Sequence, residues 1–371
     1  MNSLNNEKIA YNALNFSSDC NISLIKKLKD FYGSFYKAWE ASDYNEFLQN
    51  YPLFSPQTLQ NLFLAKNDFD PIKQWEQLNQ LGIKMFFTEE KNYPSLLKEI
   101  PDAPFALYQL GDFDFNNSDA KISIVGTRKP TSYGKMVAEK ITKELVNYNF
   151  ITISGLAYGI DSICHQTTLE NNGKTIAILG SGLNIIFPSI NKKLSEKIIK
   201  NGALISEYAL NTPPLKHHFP ARNRIISGLS LGTIVIEASI KSGSLITARL
   251  AAEQNREVFA IPGSIFSSLS EGCHQLIQSG AKLVHSTKDV LEELNIEITE
   301  TENSLFQKII ESLSIEEIKL LDIIKQTEYP LLVDEIISLS GLTPNIVNQT
   351  LTLLEIKNLI KLDGNGYRLK I

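Results

Sequence analysis

The apolar positions divide the chain into three stretches of different period. From residue 1 to about 80 they recur at helical spacing between polar breaks, as in Ile22-Ser-Leu24-Ile25-Lys-Lys-Leu28 and Leu59-Gln-Asn-Leu62-Phe63. No strand alternation appears there, and a small helical domain is expected. Gly82-Ile-Lys-Met-Phe-Phe87 is short and β-like, and Tyr93-Pro94, Pro101 and Pro104 punctuate an extended entry into the next domain. From Lys121 the pattern alternates. Short apolar runs suited to buried parallel strands fall at Ile122–Val125, Phe150–Ile153, Thr175–Leu179, Ala203–Ile205, Thr233–Ile236, Val258–Ile261 and Lys282–Val284, with helical segments between them. That alternation predicts βαβ units and a doubly wound sheet. Right-handed crossovers then gather the loops after the strand carboxyl ends along one edge, where open α/β sheets bind ligands.

Residues 295–304 are polar and acidic and read as a linker. Beyond them, helical patterns cover Ile315–Ile324, Leu332–Leu339 and Pro344–Lys357, and Leu359 to Lys370 forms a hairpin around a glycine turn. Three helices and a hairpin predict a winged-helix shape. The expected domains are therefore 1–80, 81–294 and 305–371. No internal repeat or low-complexity tract interrupts them.

Composition narrows the class. The 371 residues are 43% hydrophobic and 21% charged, as in an ordinary globular protein. The net charge of −5 means that any nucleic-acid contact must come from a local basic patch. Cys20, Cys164 and Cys273 lie far apart and suggest neither a disulfide framework nor a zinc site, which fits a reducing cytoplasm. The opening Met-Asn-Ser-Leu-Asn-Asn-Glu does not read as a signal peptide. No apolar run approaches the ~20 residues that span a bilayer, so a cytoplasmic protein without a membrane partner is expected.

Four loops carry candidate chemistry. The first strand runs into Gly126-Thr127-Arg128-Lys129-Pro130-Thr131-Ser132 before a helix. Its glycine permits close backbone approach, and Arg128 can grip a phosphate through two hydrogen bonds. The plainer reading is a βα turn with surface basic residues. The second strand leads into Ser154-Gly155-Leu-Ala-Tyr158-Gly159-Ile-Asp161, where Asp161 is either a helix cap or a ligand contact. His165 reads as a packed side chain rather than a catalyst. Gly180-Ser181-Gly182 lacks the third glycine of a dinucleotide fingerprint.

The densest signal is Lys216-His-His-Phe219-Pro-Ala-Arg222-Asn223-Arg224, followed by a strand and Ser242-Gly243-Ser244-Leu-Ile-Thr247. Hydroxyls and backbone N–H groups at a helix start favour an anion, and basic groups beside an aromatic ring suit a nucleic-acid strand. Taken one by one, Phe219 also fits a core position and the arginines a solvated face. There is no Gly-x-x-x-x-Gly-Lys-[Ser/Thr] run, no metal-ligand cluster, and no Ser/Cys–His pair that announces a hydrolase. Glu237 and Lys241 do not match the Glu-x-Lys arrangement of many metal-dependent nucleases.

These motifs, with Glu237-Ala-Ser-Ile-Lys-Ser242 and Ala260-Ile-Pro262-Gly263, resemble the DNA-processing protein A family, also called DprA or Smf, over residues 80–285. The resemblance implies an α/β fold. An extended Rossmann-like core is flanked by a small N-terminal helical domain (SAM or helix-hairpin-helix-like) and a C-terminal winged-helix-like domain. It implies single-stranded DNA as ligand, loading of the RecA recombinase during natural transformation and recombination, a homodimer, no cofactor and no enzymatic activity. Gly126 and Arg128 look like the family's phosphate loop, and Lys216 and Phe219 like its base- and backbone-contacting pair. Tyr158 stands where many relatives carry a basic residue and adds a candidate stacking ring. Residues 305–371 carry seven Lys/Arg against nine Asp/Glu, a balance under which protein contact there is at least as well supported as DNA reading. The rival readings are a phosphoribohydrolase-like enzyme, whose Pro-Gly-Gly-x-Gly-Thr-x-x-Glu pattern is absent, and a nucleotide-sensing module.

Overall fold

The computed structural model describes residues 3–16, 22–116, 120–296, 313–327, 329–357, 359–364 and 366–369. The chain separates into two compact units, Met1–Glu297 and Ile298–Ile371. Cys20 and most of the expected linker lie outside the described residues. Among the described residues no helix is long and apolar enough to cross a membrane.

The first unit is built on one sheet: β1 (Ile83–Phe87), β2 (Ala106–Leu110), β3 (Lys121–Val125), β4 (Ile151–Ser154), β5 (Thr175–Ile178), β6 (Gly202–Ser206), β7 (Gly232–Val235), β8 (Glu257–Ala260) and β9 (Lys282–Leu283). Their spatial order is β1-β2-β6-β5-β4-β3-β7-β8-β9. The run from β6 to β9 is parallel, while β2 joins β6 and β1 joins β2 in antiparallel register. The seven anticipated parallel strands all form. Every residue of β3 through β7 is buried, because helices cover both faces, and continuous apolar runs result rather than alternation. β1 alternates in exposure.

β2 was not anticipated. It follows two prolines and carries Gln109, yet it is buried along most of its length. The Gln109 amide nitrogen is satisfied locally, donating to the Gly111 and Phe113 carbonyls at 3.0 and 2.9 Å, while its buried Oε1 has no hydrogen-bond partner. A polar residue in a doubly covered strand erases the period-2 signal.

The six N-terminal helices, Ser3–Phe16 through Pro71–Gln80, close over the β1–β2 end of the sheet. Tyr11, Leu14, Leu28, Phe35 and Phe47 share a core with Phe87, Tyr108 and Leu179. Polar contacts deepen the join. The Tyr108 hydroxyl donates to Asn12 Oδ1 at 2.9 Å, and Asn15 Nδ2 donates to the Glu207 carbonyl at 2.9 Å. The helices therefore belong to the same compact unit as the sheet.

From β3 the chain winds one way through β4, β5 and β6, and the other way through β7, β8 and β9. The reversal leaves a crevice at the carboxyl ends of β3 and β7. Ligand crevices of doubly wound sheets form at such points.

The second unit holds helices Ile315–Lys325, Val333–Ser340 and Pro344–Ile356 over a three-stranded antiparallel sheet. Leu320, Ile324, Ile336, Val347, Leu351 and Leu354 form its core. Glu317 is both the capping-box partner of Ser314 and the acceptor of Lys357 Nζ at 2.7 Å. The anticipated winged helix is present.

Between β4, β5 and the Ile160–Glu170 helix lies a buried polar group of Thr152, Thr168, Thr175 and His165. His165 Nδ1 sits 2.7 Å from Thr175 Oγ1, and its Nε2 has no hydrogen-bond partner. Burial, with the Arg222 charge as a smaller cause, pushes its pKa down to about 3. The folded chain keeps this ring neutral, while the unfolded chain protonates near 6.5. Its contribution to stability is thus complete above about pH 6.5 and is lost as pH falls towards 3, at a limiting ~1.4 kcal/mol per pH unit. Urea unfolding between pH 7.5 and pH 5 should show this slope (~1.4 kcal/mol per unit at most). His165→Gln should flatten it, and identical slopes in the two proteins would remove His165 as its source.

Candidate nucleic-acid interface

The loop after β3 is pinned from β7. Thr127 N–H donates to the Glu237 carbonyl at 2.7 Å. Thr131 N–H and hydroxyl donate to the two carboxylate oxygens of Glu237 at 2.9 and 2.6 Å. Thr131 also caps the Ser132–Asn147 helix by accepting from Gly134 N–H. Glycine is required at 134, because a Cβ there would lie 2.2 Å from Glu237 Oε2. Glu237 is buried and fully engaged in this clamp. With the backbone fixed, the Arg128 and Lys129 side chains are exposed at the crevice.

The loop after β4 packs against the first. Gly159 has φ +76°, and a Cβ on it would meet the Thr127 carbonyl at 2.4 Å. Asp161 Oδ2 accepts from the backbone N–H groups of Gly155 and Ala157 at 3.1 and 3.3 Å. Burial pushes the Asp161 carboxyl up, while the Arg222 charge and these N–H groups oppose the shift. Asp161 therefore braces its own loop. The Ser154 hydroxyl donates to the Ile124 carbonyl at 2.7 Å and is buried, as is Gly155. These two residues back the site rather than face it. Tyr158 is exposed on the same loop.

The third wall is the His218–Gly228 helix and the turn before it. Lys216 is exposed and Phe219 is half-buried. The Phe219 ring lies 5.6 Å from the Phe187 ring, and the guanidinium carbons of Arg128 and Arg222 each lie 5.9 Å from its centroid. Both arginines are within cation–π range. Arg222 is buried. Its Nη1 donates to the Gly155 carbonyl at 2.6 Å and to the Ile178 carbonyl. Burial brings its pKa down to about 10, opposed by Asp161, so it stays charged at neutral pH. Asn223 accepts from Arg222 Nε at 3.2 Å.

The fourth wall is the start of the Gly243–Glu253 helix. Ser242 is its N-cap, and the Ser242 and Ser244 hydroxyls lie 2.7 Å apart. A Cβ added at Gly243 would meet nothing within 4 Å, so space lies open beside it, while its carbonyl accepts from Asn223 Nδ2 at 3.5 Å.

One cleft of about 1030 Å3 brings together Gly126, Thr127, Arg128, Lys129, Lys216, Phe219, Arg222, Asn223, Ser242, Gly243, Ser244 and Thr247. Its charged lining is Arg128, Lys129, Lys216 and Arg222 against Asp161 among the described residues. A local positive patch thus stands on a chain of net charge −5. Phe187, Pro214, Ser239 and Ile246 also line it and were not anticipated. The available signal for Phe187 was an aromatic residue before a proline in the loop after β5.

Arg224 departs from its expected place. It is buried away from the cleft, with Nη1 and Nη2 donating to the Glu207 carboxylate at 2.8 and 2.6 Å and Nε to the Asp102 carbonyl at 2.9 Å. His218 is also structural. It stacks on Tyr208 with centroids 4.1 Å apart, and its Nδ1 lies 3.2 Å from the Gly180 and Pro213 carbonyls. Among the described residues no group of three metal-ligating side chains gathers.

Residues 84–295 match the family described as DNA recombination-mediator protein A, and residues 308–365 match the DprA winged helix domain. The chain belongs to this family. It is 46% identical over 222 residues to the DNA processing protein DprA of Bacillus subtilis, covering 59% of this chain and 75% of that one. The X-ray structure of DNA processing protein A from Streptococcus pneumoniae superposes with a TM-score of 0.65 at 38% identity, covering 78% of this chain and 97% of that one. DNA processing protein A of Helicobacter pylori, solved to describe its single-stranded DNA binding mode, gives a TM-score of 0.52 at 31% identity over 57% of this chain and 95% of that one.

Removing one partner of a buried ion pair strands the other charge. Arg224→Ala should therefore cost about 3–5 kcal/mol of stability in urea unfolding. Below its melting temperature the variant should bind ligand as the parent does. A variant that unfolds like the parent but binds weakly would return Arg224 to the cleft.

Proposed function

We propose that the cleft binds single-stranded DNA and that the protein acts by holding the strand rather than by cleaving it. The observation that carries this is the half-exposed Phe219 ring, flanked by two guanidinium groups and set above loops that offer hydroxyls and backbone N–H groups. A duplex hides its base faces, whereas a single strand offers them for stacking while its phosphates meet the cations. The single-stranded DNA binding mode described for the Helicobacter pylori relative supports the same ligand. A nucleotide-hydrolysing role is disfavoured because the Glu237 carboxylate is already engaged by Thr131.

The family membership supports a further reading. The protein protects incoming strands in the cytoplasm and loads RecA onto them, acting as a homodimer in natural transformation and recombination. Adding the protein to RecA and a single strand should speed filament assembly. An unchanged rate would remove that part of the reading and leave strand binding intact.

Arg128→Ala and Lys216→Ala should each weaken strand binding without lowering the melting temperature, because both side chains are exposed. Each should also reduce the slope of log affinity against log salt by about 0.7, the share of one phosphate contact on a single strand. Fluorescence anisotropy across a salt series reads both effects. An unchanged slope excludes that residue from phosphate contact.

Phe219→Ala should lose about 1–3 kcal/mol of strand affinity, while Phe219→Trp retains most of it. If the ring were core, Phe219→Ala would instead cost about 3–5 kcal/mol of stability. Paired melting and binding curves separate the two. A much lower melting temperature with normal binding assigns Phe219 to packing.

A further inference from the structure

A second cleft, of about 630 Å3, is lined by Thr131, Tyr133, Glu237, Ser264, Ser267 and Ser270 among others. It adjoins the first. In three separate segments, residues one or two apart face opposite clefts: Lys129 and Thr131, Ser239 and Glu237, Leu269 and Ser270. The ridge between them is the backbone leaving β7. It is held by Thr127 N–H on the Glu237 carbonyl at 2.7 Å and by Ala238 N–H on the Leu269 carbonyl at 2.7 Å.

The chemistry of the two clefts differs. The first has four cationic side chains, whereas the second has the Glu237 carboxylate in its wall and no cation among its described lining residues. A phosphate would be repelled there. Hydroxyls beside Pro262 instead suit the neutral edge of a base.

At the lip of the second cleft stands the loop after β8. The Tyr133 hydroxyl donates to the Pro262 carbonyl at 2.7 Å and holds the loop's base. Ser264 turns its tip: its hydroxyl accepts from Phe266 N–H at 3.2 Å, and its carbonyl accepts from Ser267 N–H at 3.0 Å. The turn is fixed, yet Phe266 is 94% exposed, so the fold itself does not use the ring.

Resting on the reading of the first cleft as a strand site, we propose that the bound strand crosses the Glu237–Ala238 ridge. One base then enters the hydroxyl-lined cleft, and the neighbouring base stacks on Phe266. The strand site thus has two parts: a phosphate-gripping part around Arg128 and Phe219, and a base-accepting part that engages only strands long enough to cross the ridge.

Oligothymidylates from about 4 to about 16 nucleotides, the range of single-strand site sizes, test this by fluorescence anisotropy. Phe266→Ala should bind the shortest strands like the parent and the longest about tenfold more weakly, and Phe266→Trp should restore the long-strand affinity. Phe219→Ala should lose affinity at every length. Parental affinity of Phe266→Ala at all lengths overturns the second part. So does a change in sedimentation without a change in DNA affinity, which would make Phe266 a protein contact. If Phe219→Ala and Arg128→Ala also bind every length normally, the first cleft itself is not the site, which is a separate failure.

Discussion

The site depends on a buried guanidinium. Arg222 donates to carbonyls at the carboxyl ends of β4 and β5 and lies beneath the Phe219 ring. Strand carboxyl ends leave backbone oxygens without ladder partners, and a buried orphan acceptor is costly. Arg222 satisfies two of them at once. The cost of burying its charge is offset by these bonds and by the Asp161 carboxylate, which lies within electrostatic reach and itself braces the β4 loop. One side chain therefore links two strands, a loop and the helix that presents the aromatic ring. It also adds fixed positive charge behind the ligand surface, where solvent screening is weak.

Glu237 plays the corresponding part on the other side of the crevice. Its carbonyl and its carboxylate hold Thr127 and Thr131, so the backbone between them is clamped at both ends. The exposed Arg128 is carried on this clamped segment. Preorganised backbone lowers the ordering cost that binding would otherwise incur. An acidic side chain thereby stands near the cationic cleft without lining it: its oxygens accept from Thr131 at the helix start and face the second cleft.

Much of this was legible in the sequence. Buried parallel strands announce themselves as continuous apolar runs, and glycines after strand ends mark close approach. β2 escaped because Gln109 breaks its apolar run; its amide nitrogen donates to the Gly111 and Phe113 carbonyls, contacts that only the folded loop creates. Arg224 was misplaced although a signal existed. Residues two apart on a helix are separated by about 200°, so Arg222 and Arg224 cannot face the same cleft. Once Phe219 and Arg222 are set on one face, Arg224 must seek a partner on the other. Glu207, distant from it in the helical pattern and buried at the end of β6, could not be named in advance. Phe187 did carry a signal, an aromatic residue before a proline, but its nearness to Phe219 depends on how two loops fold together.

The distribution of engaged and free groups bears on what the protein does. Arg222, Asp161 and Glu237 are each held by backbone or hydroxyl partners, and the buried His165 is kept neutral. A general acid or base must be free to reach substrate, and these side chains are buried and engaged or kept neutral within the fold. Arg128, Lys129 and Lys216 face solvent at the cleft, beside the Phe187 and Phe219 rings, while the Ser242 and Ser244 hydroxyls pair with each other at the helix start. Those groups are suited to attracting, positioning and stacking, as the proposed reading of the cleft requires. On that reading, contacts made by an exposed arginine and two exposed lysines to phosphates are reversible and sensitive to salt. A site so arranged can hold a strand at the ring and still release its backbone.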